Sequence, residues 1–314
     1  MNDGSTGQLL QKEIEKSISE LPDELRGYVR EPLRVSRRAL AIEDEHTPPW
    51  VLLSSIVCEA ICGNSEKAIP LCASLQFFMA AGDVFDDIED SDSPLSICSR
   101  CGPAITNNLA TTLLVLGEKA IARLKDRNVE EKTIVRILEI INSYYLTACV
   151  GQHLDLSYGK AANITEEDYL NILGLKSASQ IECACYTGAL LATDNEEVHN
   201  IFKEFGYNLG MLAQITNDIA GIISGKDILK RQITLPVIFA LSQTDGEKHI
   251  QLENYYLKNS GVHTIEQISQ MLSDAGAIHY TAIKMESYKL YAVDAVNKAE
   301  KLGIQTGKLK DFLK

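Results

Sequence analysis

Apolar residues recur with a period near 3.6 over Ile105 to Leu124, Val129 to Tyr158, Glu166 to Leu191, Glu196 to Ile223 and Ala275 to Leu302, spacing that gathers them on one face of a helix. Strand-like alternation is hardly visible. Thr165-Glu-Glu-Asp and Asp194-Asn-Glu-Glu put a capping residue and acids at the positive end of a helix, marking two starts. The pattern predicts an all-α bundle of roughly ten or more helices. Thr106 to Ile121 and Tyr186 to Ala192 are apolar on more than one side, so central helices are expected there. A cavity between central helices is where bundles place ligands and metals.

The apolar run from Leu71 to Gly82 passes directly into Asp83, Asp86, Asp87, Glu89, Asp90 and Asp92, with no basic residue among them. Asp83, Asp86, Asp87 and Asp90 stand at helical spacing and share one face. Like charges one turn apart destabilise a helix by a few tenths of a kcal/mol per pair, and burial multiplies the cost. The face therefore needs a cation or solvent; a solvated acidic helix end is the plain reading. Oxygen ligands without His or Cys favour Mg²⁺, which keeps several waters and is commonly shared with substrate phosphates. A diphosphate-bearing substrate follows from that chemistry.

The eight prolines are scattered, and no Gly/Ser-rich or repeated segment divides the 314 residues, 45% of them apolar. One domain over residues 1–314 is expected. A net charge of −13 argues against nucleic acid and offers no polybasic patch to anionic membrane. The N-terminus lacks a basic start followed by an apolar stretch, and no run approaches the length of an integral membrane segment. A soluble, cytoplasmic protein is expected. The eight cysteines lie mostly within apolar helical patterns and read as small hydrophobes. Cys58 with Cys62 and Cys98 with Cys101 lack the second pair that a zinc site needs.

Phe85-Asp86-Asp87-Ile88-Glu89-Asp90 resembles the first aspartate-rich motif, DDxxD, of the trans-isoprenyl diphosphate synthase (polyprenyl synthetase) family. Further family-like stretches follow in order: Gly151-Gln-His-Leu-Asp155-Leu, Leu175-Lys176-Ser177, Gly188-Ala-Leu-Leu-Ala192, Gly210-Met-Leu-Ala-Gln214-Ile-Thr-Asn217-Asp218-Ile, and Thr234-Leu-Pro236. The resemblance implies a helical bundle around a central cavity, a homodimer, and an allylic prenyl diphosphate substrate held by Mg²⁺ between two acidic motifs. It assigns Asp86, Asp87 and Asp90 to metal, Lys176 to the diphosphate, Arg100 to one of the arginines that follow the first motif, and Gln214 to substrate binding. Loss of diphosphate leaves an allylic cation, and metal and basic side chains stabilise the leaving group where its charge develops.

Two departures bear on the reaction. Where a second DDxxD is expected the chain reads Asn217-Asp218-Ile219-Ala220-Gly221. Asn217 and Asp218 are kept as metal ligands, because an amide oxygen still ligates Mg²⁺. Asp227, or Lys230 with Arg231, would assist with metal or diphosphate; the alternative is a polar pair inside the bundle. Family members that hold isopentenyl diphosphate do so with a basic stretch; here Glu43-Asp44-Glu45-His46 stands in its place, and carboxylates repel a diphosphate.

The expectation is therefore a terpene synthase, a lyase that cyclises or rearranges one allylic diphosphate of C15 or longer. The length rests on small Ala81 and Gly82 before the first motif. Phe77, Phe78, Tyr144, Tyr145 and Tyr186 are candidate cation-facing aromatics. The alternatives are prenyl transfer, to a peptide or by chain elongation, and a silent regulatory subunit. The chain also looks similar to enzymes that prenylate pheromone peptides, in Asp83-x-x-Asp86-Asp87-x-Glu89-Asp90, Gly151-Gln-His and Ser224-Gly225 before Asp227-Ile228.

Overall fold

The computed structural model describes residues 3–35, 40, 50–90, 96–158, 164–258, 260 and 263–314, the side chains of residues 3–5 and 90 excepted. Helices α1 (Asp3–Ile18), α2 (Asp23–Leu33), α3 (Leu53–Cys62) and α4 (Ile69–Asp90) lead to the short α5 (Ile97–Cys101). Then come α6 (Pro103–Ala122), α7 (Glu131–Tyr158), α8 (Glu166–Leu173), α9 (Ser179–Ala192) and α10 (Glu196–Ile223). The chain closes with α11 (Lys226–Leu229), α12 (Leu235–Gln243), α13 (Gly246–Tyr256), α14 (Ile265–Asp274), α15 (Ala277–Lys301) and α16 (Gly307–Lys310). No strand occurs among the described residues.

Helix α4 lies along α6, α10 along α9 and α15, and α3 and α7 both against α9. Phe77 of α4 and Phe202 and Phe205 of α10 are among the largest fully buried side chains, each stabilising the fold by about 1.5–3 kcal/mol through burial. Helix α9 is buried on every side from Cys183 to Leu191, as its all-round apolar sequence predicts. Helix α6 is not: it buries Leu109, Leu113, Leu116 and Ala120 but leaves Ile105 and Val115 about half exposed, at 48% and 50%. Apolar content alone did not separate a central helix from a flanking one.

Two caps explain where helices begin. Thr165 accepts from the Asp168 backbone N–H while Asp168 reaches back to the Thr165 N–H, a capping box that starts α8, and the Asn195 side chain accepts from Glu197 N–H to start α10. Such caps contribute about 0.5–2 kcal/mol each. The single helix expected from Glu166 to Leu191 is instead interrupted by a π-helical turn at Gly174–Ala178. Such turns recur at functional sites because they re-aim one side chain without ending the helix; this one carries Lys176. By length and composition α4 and α7 could each cross a membrane, although α4 is buried within the bundle, which accounts for its apolar sequence.

Candidate active site at the ends of α4, α7 and α10

The C-terminal end of α4, the last turns of α7 and the π turn meet at Lys176. Its ammonium lies 2.8 Å from Asp155 Oδ2 of α7 and 3.7 Å from Asp86 Oδ2 of α4. The approach depends on Gly151, since a Cβ there would fall onto the Lys176 backbone N and within 2.7 Å of its Cα. One turn of α7 is thereby laid directly against the lysine's main chain. Gln152, the next residue, donates from Nε2 to Glu89 Oε2 at 2.6 Å and ties α7 to the end of α4, while its Oε1 is buried without a hydrogen bond. Around the π turn, Gln180 Nε2 donates to the Lys176 carbonyl and Ser179 Oγ to the Leu175 carbonyl, so backbone acceptors displaced by the wider turn are satisfied.

The second half is built on α10. Asp218 is 8% exposed; Tyr169 of α8 donates to its Oδ2 at 2.9 Å and the backbone N–H of Leu235 at 3.4 Å. Burial pushes its carboxyl up to about 7, against the downward pull of Tyr169 and Leu235, and the negative charge of Asp227 raises it further. Tyr169 is itself buried, and its hydroxyl is held well above the usual phenol range by burial and then by Asp218, with Asp155 and Asp227 adding to the effect. The acids at 155, 218 and 227 therefore share one neighbourhood. Asn217, exposed on the same helix, donates to Gln214 Oε1 at 3.1 Å, and Gln214 Nε2 donates to Ser177 Oγ at 2.6 Å. That chain of amides links the second motif to the residue after Lys176.

Asp86 and Asp87 are half-buried near the end of α4, and Asp90 is its last residue, its side chain outside the described atoms. Arg100 instead forms its ion pair with Glu31 of α2, and among the described residues it pairs with no first-motif acid. Arg231 lies over the Tyr255 ring at 4.5 Å and donates from Nη1 to the Tyr255 carbonyl, held there by a left-handed backbone at φ 54°. Burial pushes the Asp227 carboxyl above its ordinary value, against the opposing pull of Lys226 and of the exposed Lys230.

The aromatic candidates are mostly structural. Phe77 is core, Phe78 packs on Tyr145 with centroids 5.3 Å apart, Tyr144 donates to Glu182, and Tyr186 stacks edge-on with His199. Tyr145 alone also feels the charges of Asp83 and Asp86. The acidic stretch at Glu43, Asp44 and Glu45 lies outside the described residues. All eight cysteines are free thiols.

Among the described residues no three His, Cys, Asp or Glu side chains are drawn into one coordination shell. The donors are nonetheless oxygen throughout, with the buried Asp218 and an orphaned Gln152 oxygen nearby, a set that suits a hard divalent ion. A separate cavity of about 470 Å³, lined by Thr165, Glu166, Ile238, Phe239, His249 and Glu253, contains none of the candidate ligands. Sequence reasoning missed Asp155 and Tyr169 as site residues. Asp155 closes the Gly151-Gln-His-Leu-Asp stretch, one turn from the glycine that meets Lys176, and that spacing was its signal. Tyr169 had none, because its role arises only when α8 packs on α10.

The polyprenyl synthetase family profile matches residues 48–272. Among characterised relatives, tryptophan prenyltransferase ComQ of Bacillus spizizenii is 26% identical over 76% of this chain and 84% of its own. Geranylgeranyl diphosphate synthase of Saccharolobus solfataricus is 27% identical over 71% of each. In structure, a polyprenyl synthetase from Streptomyces coelicolor A3(2) superposes with a TM-score of 0.83, covering 99% of this chain and 96% of that one at 18% identity, which establishes the fold. These relatives bear the names of prenyltransferases and prenyl diphosphate synthases, and this overturns the lyase reading. That reading was preferred because acid replaces the basic acceptor stretch; prenyl transfer, given as its alternative, fits these relatives better, and an uncharged acceptor requires no basic site. With its profile match spanning most of the chain and its bundle superposing end to end, the protein belongs to the polyprenyl synthetase family.

Proposed function

We propose that the protein is a Mg²⁺-dependent prenyltransferase that ionises an allylic prenyl diphosphate and passes the prenyl group to a tryptophan side chain of a peptide. The observation that carries the reading is the placement of Lys176 between Asp86 and Asp155. A cation set among carboxylates at a helix end is the arrangement that an incoming diphosphate and divalent ion would complete. Asp86, Asp87, Asp90, Asn217 and Asp218 would hold the metal, which when bound neutralises charge on the leaving diphosphate. Lys176 would donate to the diphosphate oxygens, and Gln214 would keep Asn217 and Ser177 in register. The allylic C–O bond breaks, diphosphate leaves with the electron pair, an electron-rich indole carbon forms the new C–C bond, and the resulting cationic adduct gives up one proton, which solvent or the released diphosphate would take.

Two features favour a neutral aromatic acceptor over isopentenyl diphosphate. The sequence stretch that is basic in family members holding isopentenyl diphosphate reads Glu43-Asp44-Glu45 here, and the similarity to tryptophan prenyltransferase ComQ recurs for the Bacillus subtilis protein at 27% identity. A C15 or longer donor is supported by Gly82, beside which a Cβ would meet nothing within 4 Å. We place the enzyme in the cytoplasm, where both substrates would reach it. Its working form is a homodimer: α7 leaves Val135, Leu146 and Val150 more than half exposed, an apolar face that a second copy would cover. Light scattering should return twice the 34.6 kDa chain mass; a monomer at micromolar concentration would remove the dimer.

The activity test incubates the protein with Mg²⁺ and geranyl, farnesyl or geranylgeranyl diphosphate, alone, with isopentenyl diphosphate, or with tryptophan-containing peptides that include any short precursor encoded beside it. Mass spectrometry should find a prenylated peptide. Longer diphosphates formed only with isopentenyl diphosphate would leave prenyl transfer standing and defeat the peptide acceptor. Absence of turnover under every condition would point to a silent subunit.

A further inference from the structure

The cavity of about 470 Å³ between α8, α12 and α13 is of a size that takes a side chain or a small ligand. It shares two walls with the site. Glu166 stands three residues before Tyr169 and Ile238 three after Leu235, the two residues that donate to the Asp218 carboxylate, a displacement of about 4.5 Å along each helix. The protons of its polar side chains are already committed. Thr165 Oγ1 donates to Asp168 Oδ2 at 2.6 Å, Ser242 Oγ to the Phe239 carbonyl at 2.7 Å, and His249 Nδ1 pairs with the Leu241 carbonyl at 3.1 Å. A carbonyl only accepts, so Nδ1 carries the proton and Nε2 of the neutral ring is left as an acceptor. The other two polar groups are carboxylates. Glu166 is held by Lys284 and by the Tyr280 hydroxyl, whereas Glu253 meets Lys258 at 3.0 Å with side chains 32% and 55% exposed, and an exposed pair of that kind is easily exchanged. Among the described residues no lysine or arginine lines the cavity. The rest of the wall is apolar: Ile164, Ile238, Leu257, and Phe239, which stacks on Tyr280 at 4.0 Å. An apolar cavity whose polar groups can only accept fits an aliphatic stem with a cationic head, the way lysine and arginine side chains bury, and an aromatic ring in its wall adds attraction for the cation.

We propose that this cavity docks a basic side chain of the peptide acceptor, arginine or lysine, with Glu253 and His249 Nε2 receiving its donors, and so selects peptides that carry a basic residue near the reacting tryptophan. The inference rests on the proposed transfer to a peptide tryptophan. The cavity begins one turn from Asp218, and an extended peptide advances about 3.3 Å per residue. A tryptophan held at the diphosphate therefore puts residues about three to five positions away within reach of the cavity. Docking there touches none of the reacting atoms, so its effect belongs to acceptor binding, where complementary charge sets specificity.

The experiment gives the full-length protein an allylic diphosphate, Mg²⁺ and synthetic decapeptides of serine, alanine and glycine that hold one tryptophan and, three, four or five residues from it on either side, arginine, leucine or glutamate. At one of these positions the arginine peptide should show a KM roughly tenfold below its leucine counterpart, with kcat little changed. Glu253→Gln should remove most of that preference, and Glu253→Lys should reverse it in favour of the glutamate peptide, a charge exchange that a merely structural role for Glu253 would not produce. Mn²⁺ binding in the presence of inorganic pyrophosphate, equal in parent and variants, shows that the variants are folded and their metal site intact. Should the parent prenylate arginine, leucine and glutamate peptides alike at every position, or should its arginine preference survive in a folded Glu253→Lys protein, this inference alone falls. If the parent prenylates none of the peptides, the peptide-acceptor reading falls and takes the inference with it.

Discussion

Exchange of Asp86 for Asn should lower kcat/KM for the allylic diphosphate roughly 10²–10³-fold, the scale set by removing one preorganised group that stabilises charge developing in a transition state. The half-buried Asp86 faces Lys176 across 3.7 Å, so the change removes the charge proposed to ligate the metal and also lets Lys176 settle wholly on Asp155, 2.8 Å away. Both effects act on the diphosphate rather than on the fold. The urea midpoint should move by no more than about 0.5 kcal/mol equivalent, because the side chain keeps its shape and the α4 end loses a like charge. Activity within a few-fold of the parent would show that the first acidic motif does not hold the leaving group. A large loss accompanied by a lowered midpoint would assign Asp86 a structural role instead.

The two halves of the site were unequally legible from sequence, for physical reasons. Asp86, Asp87 and Asp90 stand on one uninterrupted helix, where spacing alone puts side chains on one face, and α10 runs from Glu196 to Ile223 as its periodicity requires. Lys176 was recognisable only by family likeness. What presents it is a π turn that no 3.6-residue pattern encodes, enforced by the contact of Gly151 with its backbone. Arg100 was misplaced because proximity in sequence to the first motif says nothing about the turn through α5, which gives it to Glu31. Arg231 went to Tyr255 for a similar reason, a positive φ that sequence does not announce for arginine. Asp227 was named from the sequence beside the altered second motif, but its return to Gly221 through a left-handed glycine turn is a tertiary contact that the sequence does not announce.

Asp218→Asn should separate stability from function through its dependence on pH. The folded carboxyl is pushed up to about 7 by burial, from 3.8 in the unfolded chain. Below about pH 4 both states hold the proton and nothing is lost. As pH rises towards 7 the unfolded chain releases it while the folded protein keeps it, so stability falls across that window and levels off above it. The metal-free protein at pH 8 thus carries a charging cost of about 4 kcal/mol at this residue. Asn cannot be charged, yet it accepts from Tyr169 and from Leu235 N–H in the same geometry. Urea unfolding in chelator should therefore find the variant about as stable as the parent near pH 4, and more stable by several kcal/mol at pH 8. Mg²⁺ with pyrophosphate at about 100 Kd should return about 2.7 kcal/mol to the parent and little to the variant, whose prenyl transfer is lost. A difference between the two proteins that is the same at both pH values would mean that Asp218 is already ionised in the folded chain, paired with a cation of the protein, and is no ligand in waiting.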